Sequence, residues 1–436
     1  MRLAAVFTFV LSCGFVFSRA FEQRRLVAPD KTQHVIGGGA SSAQHRRPLP
    51  ITLAHPEDGG FQTGFVAFGD SYSAGIGTGF HGKEDDCRRG LGAHAELIRA
   101  DLEASQGGPN STAFQFLSCT GATTRELISG GPDSQVDAFN ASLPADFALL
   151  SVGGNDLGFF AVMNACVFRF YNFYSGTCAA ALADARAQIE GDEFEERLRV
   201  AAAEVLDAVR WEKRPWFSIT VTGYARFFDD ATDACDDMSF GVWWDGPKLT
   251  RGLRAEMNAM VLAVNAKVRR TVDAVNARFT RDKLVFVDYD AAFDGHRFCE
   301  EGVAEPDYGR ADTWFFLVGG RDNARNGTAV HHQQSRHASS DLEILAPNSV
   351  LVDPSSCLGP AQRSGDWGEL ALCYMTMAKA RDPSLRLAAA AAAHGNLAAE
   401  NSMWYVPTYY GKTFHPRSRG HEAIRDKIYE VWRGLE

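Results

Sequence analysis

Phe65-Val66-Ala67-Phe68-Gly69-Asp70-Ser71-Tyr72-Ser73 decides how the rest of this 436-residue chain is read. A short apolar run, closed by glycine and followed at once by polar residues, is the pattern of a buried strand running into a turn. In an open α/β sheet the crevice beyond the strand's carboxyl edge is where ligands sit. A serine at that edge, Ser71, offers a hydroxyl for attack on a carbonyl and a backbone N–H for the oxyanion that results. Gly-Asp-Ser is also common turn chemistry, so the stretch needs partners elsewhere in the chain.

Working outward, four more apolar runs read as strands: Phe114–Leu117, Phe147–Val152, Phe217–Val221 and Leu284–Val287. Helical patterns lie between them. Ala93–Ala104 is one, and Phe194–Arg210 another, with Leu198, Ala201, Val205 and Val209 on one face. The longest, roughly Leu249–Phe279, carries a stripe from Leu249 through Met257, Met260 and Val264 to Val275 that reads as core packing. Asn258 and Asn265 within it carry no assigned chemistry. A closing helix spans Arg417–Arg433. Strands buried on both faces and alternating with helices imply an α/β fold, with five parallel strands between two helical layers. Glu300–Met403 breaks the rhythm and reads as an insertion decorating the same domain.

Composition narrows the function. The hydrophobic fraction of 45% supplies a large core, and a net charge of −10 argues against a nucleic-acid partner. Residues 1–20 read as a signal peptide: Arg2, an apolar Leu3–Phe17, then the small residues around Ala20. A membrane anchor is the alternative, but the apolar run is short of the ~20 residues a span needs. No stable membrane anchor is therefore expected. Residues 21–60 read as a polar lead-in or a propeptide, and 61–436 as the main domain, with its insertion at about 300–403. Of nine cysteines, Cys13 lies in the leader, leaving an even eight. An even set suits disulfides in a secreted, extracellular protein. No Cys-x-x-Cys pair is present, so no metal is expected. Asn110, Asn140 and Asn326 head sequons, used only in a eukaryotic source.

Three more stretches share the chemistry of the first. Leu149-Leu150-Ser151-Val152-Gly153-Gly154-Asn155-Asp156 is again strand, glycine turn, then a carboxamide able to donate to an oxyanion. Cys119-Thr120-Gly121 follows a strand, and Gly121 lets backbone approach a ligand. Phe414-His415-Pro416 precedes the closing helix, a suitable place for a general base.

Together these four blocks resemble, in order, those of the SGNH hydrolases, also called GDSL lipases and esterases. The wider similarity is to a secreted lipase/esterase branch typified in actinobacteria. It takes in Cys87, Cys119, the 249–264 helix and Asp288-Tyr289 through Phe293-Asp294-Gly295-His296-Arg297-Phe298-Cys299. It covers roughly residues 63–299 and 410–435.

The resemblance implies a three-layer α/β/α, flavodoxin-like fold and an acyl-serine mechanism without cofactor. Ser71 would be the nucleophile. The Ser71 and Gly121 N–H groups and the Asn155 carboxamide would form the oxyanion hole, with His415 as base. Asp70 and Asp156 would hold turns, and His421 would pack or cap. The family's usual Asp, three residues before the histidine, is here Lys412. Some members of the branch use a main-chain carbonyl there, which implies a Ser–His dyad with the Lys412 carbonyl orienting the ring. Lacking a carboxylate, such a base is expected to titrate near ~6.5, as an unperturbed histidine does. The branch also implies disulfides Cys87–Cys119, Cys166–Cys178 and Cys235–Cys299, which leaves Cys357–Cys373.

The expected substrate is a small-molecule or lipid acyl ester, and the expected state a monomer. Phe159, Phe160, Trp243, Trp244, Trp404, Tyr409 and Tyr410 are candidates for an acyl groove or for plain core. A carbohydrate acetyl esterase is the alternative within the same chemistry. A non-catalytic glycan- or lipid-binding protein on the same scaffold is the alternative outside it.

Overall fold

The computed structural model describes residues 64–168, 177–241, 247–307, 310–317, 320–324 and 408–435. The signal and lead-in segments, most of the 300–403 insertion, Cys357, Cys373 and Asn326 lie outside the described residues.

Five strands form one fully parallel sheet. They are β1 (Gly64–Gly69), β2 (Ala113–Phe116), β3 (Phe147–Ser151), β4 (Ser218–Thr222) and β5 (Leu284–Val287). Their order across the sheet is β2-β1-β3-β4-β5, which is the flavodoxin order. Each boundary falls within about one residue or two of the apolar run that announced it. The reason is burial on both faces: β1 and β3 are buried along their whole length, so their sequences show continuous apolar runs.

Helices cover both faces. On one side α2 (His94–Gln106) packs against the closing helix α9 (Ser418–Arg433), which follows the one-turn α8 (Thr408–Gly411). Trp432 of α9 meets Phe147 edge-on, and Phe147 belongs to a stacked row with Phe65 and Phe114 running across β3, β1 and β2. On the other side lie α3 (Thr124–Leu127), α5 (Cys178–Glu190), α6 (Glu193–Ala208) and α7 (Arg251–Asn276). The helix α5 was not anticipated, because its alanine-rich sequence has weak amphipathic contrast. Nor was α4 (Phe159–Met163), whose five apolar residues are too few to show a helical period; it continues into a single π-helical turn, Asn164–Phe168. Among the described residues three disulfides staple the fold: Cys87–Cys119, Cys166–Cys178 and Cys235–Cys299.

This topology locates a site before any side chain is considered. The chain leaves β1 toward β2 on one flank, while β3 pairs on the other. That switch point opens a crevice at the carboxyl ends of β1 and β3. Ser71 follows β1, Gly121 follows β2 and Asn155 follows β3.

Candidate active site

The turn after β1 is shaped by a glycine that no other residue can replace. Gly69 has φ +134°, and a Cβ built on it would stand 2.1 Å from the Ser151 carbonyl oxygen. The sharp bend delivers Ser71 as the first residue of a one-turn helix, α1 (Ser71–Ala74). Asp70 caps that turn, its side chain accepting from the Tyr72 N–H at 2.9 Å. First-turn N–H groups have no partner within a helix. Among the described residues neither the Ser71 N–H nor the Gly121 N–H meets an acceptor.

His415 comes from the far end of the chain. Its Nε2 lies 2.6 Å from the Ser71 Oγ. Its Nδ1 lies 3.1 Å from the Thr413 carbonyl oxygen. A carbonyl can only accept, so Nδ1 carries the proton and Nε2 presents a lone pair to the serine hydroxyl. That is the tautomer a general base needs.

The orienting carbonyl belongs to Thr413, not to Lys412 as expected. The physical reason is the turn itself. The Lys412 carbonyl accepts from the His415 main-chain N–H at 2.9 Å, closing a four-residue turn. Phe414, the third residue of that turn, has φ +64°, the conformation that swings the preceding carbonyl outward. The Thr413 oxygen is thereby turned to the ring. A bulky residue with positive φ costs about 1–2 kcal/mol, and packing holds it there. Phe414 is fully buried against Phe228, Phe240 and Phe298, and its carbonyl accepts from the Tyr72 hydroxyl at 2.6 Å.

The base also titrates differently from expectation. Burial pushes His415 down to about 4, opposed by the carbonyls of Thr413 and Lys412. Two neutral acceptors offset only part of the cost of desolvating an imidazolium.

The first residues of the 300–403 insertion have a task that its loop-like sequence did not reveal. The Phe316 N–H donates to the His415 carbonyl at 3.0 Å, and the Phe414 N–H to the Phe316 carbonyl at 2.8 Å. The short two-strand contact clamps the histidine turn. Asp322 then accepts from the Ser418 N–H at 2.8 Å, at the start of α9.

The remaining predicted residues gather at the same sheet edge. The Cys119 N–H donates to the Gly69 carbonyl at 2.9 Å, which sets the Gly121 loop beside β1. The Asn155 Nδ2 donates one hydrogen to the Ala122 carbonyl at 2.9 Å, leaving the other for a ligand. Asp156 accepts from the Thr124 N–H and hydroxyl and pairs with Arg197, so it ties the β3 loop to α3. Burial, ahead of these partners, raises its pKa. His421 packs against His94, whose N–H donates to its Nδ1 at 3.3 Å. Asn110 and Asn140 are exposed.

Tyr224 is the participant that sequence reasoning missed. Its hydroxyl donates to the Asp70 Oδ2 at 2.9 Å and accepts from the Gly154 N–H at 3.0 Å. One side chain thus fixes the β1 turn against the β3 turn. Burial raises Asp70 to about 7, against the lowering effect of this hydrogen bond. Asn265 of α7 clamps the Tyr224 backbone with two bonds of 2.8 Å, and Asn258 treats Phe228 in the same way. Both asparagines therefore position the loop after β4. A buried amide in an otherwise apolar helix stripe was the available signal, since a buried polar group implies a partner.

Beside the site lies a cleft with about 580 Å³ of empty space, part of it open to solvent. Phe159 lines it, while Phe160 packs at the edge of the core. Trp243, Trp244 and Trp404 lie outside the described residues, as do the side chains of Tyr409 and Tyr410. Met257, Met260 and Val264, read as core from their spacing, line the cleft. Among the described residues no three His, Cys, Asp or Glu side chains converge as a metal site would require. No described helix is long and apolar enough to cross a membrane.

Several known proteins are similar to this chain. A lipase of Streptomyces rimosus is 29% identical over 239 residues, 54% of this chain and 74% of that protein. Lipase 1 of Streptomyces coelicolor is 32% identical over 193 residues, 44% of this chain and 59% of that protein. The crystal structure of an extracellular lipase from Streptomyces rimosus aligns with a TM-score of 0.41 and 27% identity, over 56% of this chain and 89% of that one. A model of the GDSL-like lipase/acylhydrolase family matches residues 67–298, from within β1 to the residue before Cys299. That span is more than half of the chain and includes the Ser71, Gly121 and Asn155 blocks, and on it the chain belongs to the GDSL-like lipase/acylhydrolase family of carboxylic ester hydrolases.

Proposed function

We propose that the chain is a secreted serine esterase or lipase that cleaves acyl esters through an acyl-serine intermediate, with a Ser71–His415 dyad. The observation that carries this is the 2.6 Å contact between the Ser71 Oγ and a His415 ring whose other nitrogen is held by a carbonyl.

His415 Nε2 takes the hydroxyl proton as Ser71 Oγ bonds to the ester carbonyl carbon. The carbonyl oxygen becomes an oxyanion and receives hydrogen bonds from the Ser71 N–H, the Gly121 N–H and the free Asn155 N–H. His415 then gives its proton to the departing alkoxide, leaving acyl-Ser71 and free alcohol. Water attacks the acyl carbon with His415 again as base; the bond from that carbon to Ser71 Oγ then breaks, His415 returns the proton to Oγ, and the acid departs. The Thr413 carbonyl holds the ring in register throughout. Export is supported by the composition of residues 1–20 and by the three disulfides, which persist in oxidising compartments. On this reading residues 61–436 form the catalytic domain.

A fluorophosphonate probe tests the proposal. It should label the purified protein once, at Ser71, and Ser71→Ala should remove both labelling and hydrolysis while the circular dichroism spectrum stays that of the parent. Turnover above a few per cent in the variant would refute the assignment.

A further inference from the structure

Ser71 and His415 are 344 residues apart in sequence, and their 2.6 Å contact needs two separate turns held in register. In a triad a carboxylate fixes the base. Here Nδ1 meets a neutral carbonyl, that of Thr413, on a turn with φ +64° at Phe414. Tyr72 is placed to hold that turn. It follows the nucleophile in α1 and is 4% exposed. Its hydroxyl donates to the Phe414 carbonyl at 2.6 Å, and among the described residues no other donor meets that carbonyl. Its ring lies against the His415 ring, with centroids 4.8 Å apart and planes 45° apart. Tyr72 is itself fixed. Its N–H donates to the Asp70 Oδ1, and its ring packs edge-on against Tyr224 at 5.0 Å and Phe159 at 6.3 Å.

Phe414 sits between two carbonyls with different tasks. The Thr413 oxygen faces the imidazole, and the Phe414 oxygen faces Tyr72. A bulky residue with positive φ gains by relaxing to negative φ. That rotation would carry the Thr413 oxygen away from Nδ1. It would also take the Phe414 oxygen from its donor, and a buried carbonyl without a donor is unfavourable. The packed Phe414 side chain restrains the residue, and the Tyr72 hydroxyl restrains the peptide plane that follows it. The bond to Tyr72 and the bond from the ring therefore stand or fall together.

We propose that Tyr72 is a positioning residue for the base: through the Phe414 carbonyl and the face of the imidazole it keeps the Thr413 oxygen on Nδ1 and directs Nε2 at the Ser71 hydroxyl. This rests on the Ser71–His415 dyad. Tyr72 supplies no charge and moves no proton. It lets a base with no carboxylate partner keep one tautomer and one ring plane.

Tyr72→Phe keeps the ring and deletes the donor. On a soluble p-nitrophenyl ester its kcat should fall ~10–100-fold with KM little changed, the cost of a small misplacement of reacting groups. The second readout is the 15N spectrum of histidine-labelled protein at neutral pH, with the His415 signals identified by their loss in His415→Gln. The parent should show the Nδ1–H tautomer alone, and Tyr72→Phe a mixture of the two. 4-Aminophenylalanine in place of Tyr72 returns a donor, so it should recover most of the turnover and the single tautomer; it decides the matter if the phenylalanine variant does not fold. Tyr429→Phe, which removes a hydroxyl bonded to Asp101 on the surface of α9, should change neither readout. An unchanged kcat in folded Tyr72→Phe would overturn the proposal. So would a lowered kcat with the tautomer unchanged, or an amino variant that restores neither. Failure of the dyad would look different: no fluorophosphonate label on Ser71, and hydrolysis surviving in Ser71→Ala and His415→Gln.

Discussion

Lowering the pH tests the site most directly, because it protonates the base without altering a side chain. Burial places His415 at about 4, against ~6.5 for an ordinary histidine. That corresponds to a penalty of about 3 kcal/mol for the imidazolium in this site relative to water. At pH 5.5 a ring with that pKa is about 97% neutral, whereas one at 6.5 is about 9% neutral. The two values therefore differ by about tenfold in activity at that pH. The assay is kcat/KM on a soluble short-chain ester from pH 4 to 8, with ellipticity recorded in each buffer. Activity should hold down to about pH 5 and then fall. Half-maximal activity near 6.5 in fully folded protein would refute the argument that desolvation outweighs the two carbonyls.

The same shift affects stability, and the sign follows from proton counting. Between about 4 and 6.5 the unfolded chain binds a proton at His415 that the folded chain does not. Stability from this group is present above 6.5 and is lost as the pH falls through that window. His94, also held at about 4 by burial, acts in the same direction. Asp70, raised to about 7, binds its proton first in the folded state and offsets part of the loss as the pH falls from 7 to 3.8. Ellipticity separates this effect from the titration of activity.

Asn155→Ala should lower kcat by ~10²–10³ through loss of one oxyanion donor, and an unchanged kcat on a p-nitrophenyl ester would remove it from the site. Tyr224→Phe takes the shared hydroxyl from Asp70 and from the Gly154 N–H. It should cost about 1–3 kcal/mol in urea unfolding and reduce kcat more than it raises KM; a variant as stable as the parent would contradict the strut. Lys412→Ala should retain most activity, since the Thr413 oxygen orients the ring, and a hundredfold loss would show that the side chain itself participates. Non-reducing peptide mapping should recover Cys87–Cys119, Cys166–Cys178 and Cys235–Cys299, together with Cys357–Cys373, and any crossed pair would break the scheme.

The strands and principal helices were legible because burial acts on sequence locally. A strand covered on both faces must be apolar at every position, and α7 must be apolar once per turn. The glycines after β1 and β3 were legible for a related reason, since no side chain fits where Gly69 meets Ser151 or where Gly153 meets Phe194. What the chain does not display is which partner a polar atom finds. The choice of Thr413 over Lys412 depends on a backbone turn enforced by Phe414, and that turn depends on aromatic packing from residues more than 100 positions away.

The pattern of residues alone thus determined a five-stranded parallel sheet, the edge at which the chemistry lies, and the identities of Ser71, Gly121, Asn155 and His415 as candidates. Tertiary structure decided how those candidates are tuned and supported. It joined Asp70 to Gly154 through Tyr224, gave the start of the insertion the task of clamping the histidine turn, and converted part of a helix stripe from core into cleft wall. It also set the acidity of His415, because desolvation is a property of everything packed around a ring and of no residue near it in sequence.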